Sequence, residues 1–369
     1  MRTLRFGFDT VLALTLCFLL AFSLCRAEEP SSDQTGEALS GASDAELVDM
    51  LSSAQPEEAR DVLLQRMVSY YENEQNDQME ALASLLSATL KEASGEEARM
   101  RVLSRLRTLL WVGRGGADTA FHAVCHTLLN DPSDHLRFVA AEMLRDFGRA
   151  DAIPVLTEAA LDEKNHSPEM AHMFSVREAA ISALGSCGPE AVPVLLELRS
   201  NEKLSTNQRN MLVVSALART ADEVVALPEV LEIIDVGSVP EVSAAVGGLG
   251  GGFRRYSTEA QATIMDVIRA ALAHPSRHVR HAACAAVERI GEPANIPLLE
   301  PLLEDPHMEL SRQYDETNTE LVEVELYPVR KRAELAIKEL SRIAEQRERV
   351  AASAASPDRR LHIPSVDIP

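Results

Sequence analysis

The chain has 369 residues, a mass of 40.3 kDa, a formal net charge of −21 and only 4% aromatic residues. Its 57 Asp and Glu against 36 Lys and Arg are the wrong sign for general binding to nucleic acid or to an anionic membrane. At 46% hydrophobic residues it is neither disordered throughout nor collagen-like, and length alone suggests roughly two or three domains.

Arg2 and Arg5 open a short basic start, and residues 11–24 are almost wholly apolar. Cys25-Arg26-Ala27 then precedes Glu28 and Glu29, the pattern of a secretory signal peptide over residues 1–27. The apolar run is shorter than the roughly 20 residues a membrane helix needs. A lipid anchor on Cys25 is disfavoured, because Leu24 stands where a small residue is expected. Cleavage after Ala27 makes the net charge more negative, since the leader carries more basic than acidic residues. Cys125, Cys187 and Cys284 remain, each in an apolar helical context, and read as buried small hydrophobes rather than a disulfide framework. The expected address is exported, periplasmic or extracellular.

Residues 28–43 are rich in Ser, Gly, Glu and Asp and read as a flexible linker. Residues 44–116 read as N-terminal helical hairpins, 117–347 as a repeat array and 348–369 as a disordered tail. The repeat shows as an apolar anchor with further apolar residues at +3, +4, +7 and +8, one helix face. Leu136 is followed by Val139, Ala140, Met143 and Leu144, and Val176 by Ala179, Ala180, Ala183 and Leu184. Val242 and Val279 repeat the pattern, Val329 does so with Arg332 out of place, and weaker copies start at Val102 and Gln208. A period of roughly 34 to 40 residues fits two helices and two turns. Pro154, Pro193, Pro228 and Pro297 recur at near-constant distance from the preceding anchors, opening helices where the missing N–H has no intrahelical partner.

Asp131-Pro132 with Leu136-Arg137-Phe138-Val139-Ala140-Ala141 and then Ala152-Ile153-Pro154 resembles a HEAT repeat of the lyase-like subclass. Val176-Arg177-Glu178-Ala179-Ala180 with Val192-Pro193, and Val279-Arg280-His281-Ala282-Ala283 with Ile296-Pro297, match the same pattern. The resemblance implies an all-α fold, an α-α superhelix (HEAT-like solenoid) of about six to seven helix pairs. It also implies a ladder of turn aspartates and second-helix arginines between repeats: Asp131, Asp305, Arg137, Arg177, Arg280 and Arg330. Ser243 and, in the Val102 copy, Leu103 stand where arginine is expected. The subclass includes proteins that attach bilin chromophores, a role that an exported chain without a paired subunit makes remote.

Two insertions interrupt the period, both in the turn inside a repeat. In a solenoid such turns share one rim, about 40 Å apart at four repeats' separation. Residues 163–175 contain His166, Met170, His172 and Met173, ligand types that suit copper, although a solvated loop is the plainer reading. Residues 306–328 contain a period-two alternation over 321–327, which pairs with 308–314 in a small β-hairpin near 307–327. The alternative is continuation of the neighbouring helix. The hairpin offers Glu323, Glu325, Tyr327, Arg312 and Tyr314 as a partner contact, an acidic arm or an edge for strand addition. Asp315, Asn318 and Glu320 lack the spacing of an EF-hand.

Other signals are weaker. His122 and His126 share a helix face, and His278 and His281 sit in a basic helix start. Gly247-Gly248-Leu249-Gly250-Gly251-Gly252 before Arg254-Arg255 reads as a loose helix end with a bend rather than an anion-holding loop. No HExxH, GxSxG or CxxCH run occurs, and Ser200-Asn201-Glu202-Lys203 lies at the wrong end of a helix for a nucleophile. Trp111 is the lone tryptophan, which disfavours a sugar platform. The expectation is therefore a non-enzymatic scaffold with no cofactor and an extended, basic or neutral protein partner, without nucleic acid, and without membrane once the leader is cleaved. Copper handling, or a place as accessory subunit of an envelope enzyme, is the alternative.

Overall fold

The computed structural model describes residues 41–52, 56–166, 175–314 and 321–355. The expected leader, most of the linker, Met170, His172 and Met173, and the last residues of the tail lie outside them. The described residues form sixteen α-helices and one two-stranded sheet. Taken in order, the helices make eight pairs. No described helix is long and apolar enough to cross a membrane.

The chain divides into two compact units. The first holds α1 (Asp44–Ser52), α2 (Pro56–Glu72), α3 (Asn76–Glu92), α4 (Glu96–Val112), α5 (Ala117–Asn130) and α6 (Asp134–Phe147), together with the segment Asp162–Val176. Helical spacing of the apolar positions explains its core. Val102, Leu103, Leu106 and Leu109 fall on one face of α4 and are fully buried. Leu82 and Leu86 of α3 and Phe121 of α5 are buried with them. Burying each such leucine contributes about 1.5–3 kcal/mol.

The repeat phase in α4 differs from the one expected. The copy begins at Ala98 rather than Val102, and Arg99 takes the arginine position three residues before Val102, as Arg137 stands three before Ala140. Counted from Ala98, Arg101 and Arg105 stand at +3 and +7 where apolar residues are expected, so apolar spacing alone points to Val102.

The second unit holds α7 (Ile153–Leu161), α8 (Val176–Leu184) from Arg177 on, α9 (Val192–Ser200), α10 (Val214–Arg219), α11 (Ala226–Val236), α12 (Val239–Gly252), α13 (Thr258–Leu272), α14 (Arg277–Ile290), α15 (Ile296–Leu299) and α16 (Pro328–Ala355). Pro154, Pro193, Pro228 and Pro297 all lie in the first turn of a helix. A π-helical turn, Gln208–Val213, leads into α10. Ser238 and Glu241 form a capping box at the start of α12, and Ser257 Oγ accepts from Ala260 N–H at 3.2 Å at the start of α13. Helix α16 continues to Ala355, beyond residue 347.

The glycine run is helix, not a loose end: α12 extends through Gly252. A Cβ on Gly248 would lie 2.5 Å from the Ser215 carbonyl oxygen, and one on Gly250 2.5 Å from Ala286 Cα. The glycines therefore let α12 approach the backbones of its neighbours on both sides. That close packing overrides a propensity cost of about 1 kcal/mol per glycine.

Nor do Arg254 and Arg255 guard an anion loop. Arg255 donates to the Ser186 and Gly185 carbonyls at 3.1 Å and also to the Arg219 carbonyl, while Arg254 donates to Ile290 O at 3.1 Å. These are the orphan carbonyls at helix C-termini, where cations also oppose the helix dipole.

Strands β1 (Glu309–Tyr314) and β2 (Leu321–Leu326) form an antiparallel hairpin, not a continued helix. The register sets Leu310 opposite Glu325, Arg312 opposite Glu323 and Tyr314 opposite Leu321. Neither strand makes an extensive contact with any described helix.

Candidate functional site

The ladder residues cluster at turns that precede the second helix in four of the pairs, before α6, α8, α10 and α16. A turn Asp or Asn accepts the N–H two residues on, closing an Asx turn. Asp131 does so from Ser133 at 2.8 Å, Asp162 from Lys164 at 3.0 Å, Asn201 from Lys203 at 3.0 Å and Asp305 from His307 at 3.0 Å. Arginines then tie these turns to the helices.

In the first unit Arg99 forks onto Asp131, with Nε at 2.9 Å and Nη2 at 3.2 Å. Arg137 is 4% exposed and donates to Asn165 Oδ1 at 2.9 Å, to Asp131 O at 2.7 Å and to Asp134 Oδ1 at 2.5 Å. Asp131 thus links two arginines, one through its carboxylate and one through its carbonyl. Arg99 and Asn165 were not singled out in the sequence. The spacing of Arg99 before Val102, Leu103 and Leu106 is the signal that finds it. Asn165 stands three residues after Asp162, and nothing local marks it. A pocket of about 240 Å³ lies beside Arg99 and Asp131, with Lys91, His126, Thr127 and Asn130 in its wall.

In the second unit Arg177 is buried and donates to Lys203 O at 3.4 Å. Arg280 forks onto Asp305 at 2.6 and 2.9 Å and donates to the His274 and Pro275 carbonyls at 2.8 Å. Arg330 donates to Asp305 O at 2.7 Å. Burial works to raise the Asp305 carboxyl, but hydrogen bonds from Arg280 and the His307 N–H hold it below its ordinary value.

This same node carries the hairpin. The Arg330 guanidinium lies 4.1 Å from the Tyr327 ring centroid, a cation–π contact, and Tyr327 Oη donates to Glu325 at 2.8 Å. The Glu325 hydrogen bond raises the Tyr327 phenol above its ordinary value. On the other strand Arg277 pairs with Glu309 and touches His307. One strand thus meets α14 through Arg277, and the other meets the Asp305 node through Tyr327 and Arg330. Glu323 and Glu325 are exposed, as are Leu310 at 65% and Met308 at 39%.

The remaining candidates stay apart. His166 is exposed, and its three partners in the suggested copper set lie outside the described residues. His122 and His126 are exposed on α5. His281 is exposed, and desolvation together with Arg332 and His278 lowers its pKa. Among the described residues no group of three or more His, Cys, Asp or Glu converges on a metal position. Burial pushes the Cys187 and Cys284 thiols up to about 12.

No curated protein matches this chain in sequence. Among solved structures, human deoxyhypusine hydroxylase is similar at 20% identity and a TM-score of 0.28, over 72% of this chain and 97% of that one. A structure of Kap95p bound to RanGDP is similar at 16% identity and TM-score 0.39, over 86% of this chain and 44% of that one. The CpcE–CpcF complex of phycocyanin lyase from Nostoc sp. is similar at 15% identity and TM-score 0.34, over 85% and 97%. Two stretches match family models: residues 176–201 the PBS lyase HEAT-like repeat, and residues 243–313 HEAT repeats.

Proposed function

We propose that this chain is an exported helical-repeat scaffold that binds a protein partner. The observation that carries the reading is the hairpin, fastened at its base through Arg277, Arg280, Asp305, Arg330 and Tyr327 and making no extensive contact with the described helices beyond that base. A repeat turn needs no such arm to close, and preorganised protrusions reduce the ordering cost of binding. The strong net negative charge favours a basic or neutral partner surface. Export rests on the basic start, apolar run and Ala27 cleavage pattern.

Cross-linking in cells, with the tagged full-length chain and a variant in which residues 306–328 are replaced by a short turn, tests the reading. The scaffold reading expects discrete cross-linked protein species from the full-length chain. Their absence at every cross-linker length would sink it. N-terminal sequencing of the mature protein tests export, with Glu28 expected first.

A further inference from the structure

The hairpin is a sheet of two strands, and both outer edges are unpaired among the described residues. A two-stranded hairpin is marginal by itself in water, and a third strand is the usual route to stability. Open edges also template pairing with other chains unless they are blunted. Here β2 carries Glu323 and Glu325 two residues apart, hence on one face, flanking Val324. Both glutamates are exposed and the base is immobilised by the ladder. Within the hairpin Glu325 accepts from Tyr327 Oη and Glu323 stands opposite Arg312, so the edge carries exposed carboxylates at alternate positions that already have neighbours on the arm itself.

Resting on the scaffold reading, we infer that the outer edge of β2 receives an extended segment of the partner protein as a third strand, with Lys or Arg at alternate positions opposite Glu323 and Glu325. Main-chain hydrogen bonds supply the pairing, and cross-strand opposite charges select the register. Apolar residues between the basic ones fall on the opposite face, where Val324 lies.

The test uses the purified protein with a short peptide alternating lysine and valine, and the same peptide with alternate backbone amides N-methylated. Fluorescence anisotropy reads binding, and hydrogen–deuterium exchange reads residues 309–326. The unmodified peptide is expected to bind and to slow exchange in β2, while the N-methylated form is expected to lose binding. The double variant Glu323→Gln, Glu325→Gln keeps the hairpin and should weaken binding roughly tenfold. Equal binding of the two peptides would reduce the effect to surface charge and overturn strand addition. So would a dimer formed through the hairpin, since a second copy would then hold the edge. If cross-linked species persist after residues 306–328 are replaced, strand addition fails while the scaffold stands.

Discussion

Arg280 and Asp305 meet fork to fork, Nε and Nη2 each donating to a different carboxylate oxygen at 2.6 and 2.9 Å, with side chains 12% and 2% exposed. The third guanidinium nitrogen of Arg280 serves two carbonyls of the preceding turn. One side chain therefore fastens a repeat to its own turn and to the next.

Removing one partner of such a buried pair leaves the other charge unpaired. Arg280→Ala is expected to destabilise by about 3 kcal/mol, read as a lower urea midpoint. Arg280→Lys should recover little of that loss, because an ammonium cannot fork. A midpoint within error of the parent protein would contradict the role of the ladder.

Asp305 also sets a pH dependence. Its folded pKa is depressed, so its contribution is fully present above its unfolded value of about 3.9 and disappears as pH falls through the lower folded value. Asp305→Asn removes that linkage. The stability gap between parent and variant should be constant from neutral pH to about pH 5 and should narrow toward pH 3. Paired urea titrations across that range would show it, and a gap that widens on acidification would reverse the sign.

The glycines of α12 predict opposite effects within one helix. At Gly250 a methyl group meets the Ala286 backbone at 2.5 Å, whereas at Gly247 the nearest atom is Arg289 Nη1 at 3.5 Å. Gly250→Ala should destabilise by about 1–3 kcal/mol through overpacking. Gly247→Ala should stabilise by about 0.5–1 kcal/mol through helix propensity. Thermal melts of the two variants beside the parent distinguish a close-packed helix from a loose one.

Cys187 and Cys284 are 3% and 0% exposed, with thiols pushed up to about 12. Both should resist a thiol-specific chromogenic disulfide in native buffer at pH 8 and react fully in denaturant. Rapid native labelling of Cys284 would mean that the packing of α14 opens readily.

The regular part of this chain was legible because helix pairs bury one face each, and that demand writes itself as apolar anchors, helix-opening prolines and arginines at fixed offsets. The alternation over residues 321–327 announced a strand for the same reason, period two being incompatible with a helix face. The phase of α4 was not legible from apolar spacing, because Arg101 and Arg105 break that spacing when it is counted from Ala98; the Arg99 pairing with Asp131 marks the phase instead.

By itself, then, the sequence determined the all-α repeat and the position of the hairpin, since both are properties of local periodicity. Tertiary structure alone decided that the glycine run remains a helix and that Arg254 and Arg255 cap helices up to about 70 residues away. It also decided that Arg277 holds one strand of the arm while Arg330 and Tyr327 tie the other to Asp305. Those outcomes depend on how closely neighbouring backbones approach and which carbonyls are left without partners, and neither quantity has a period along the chain.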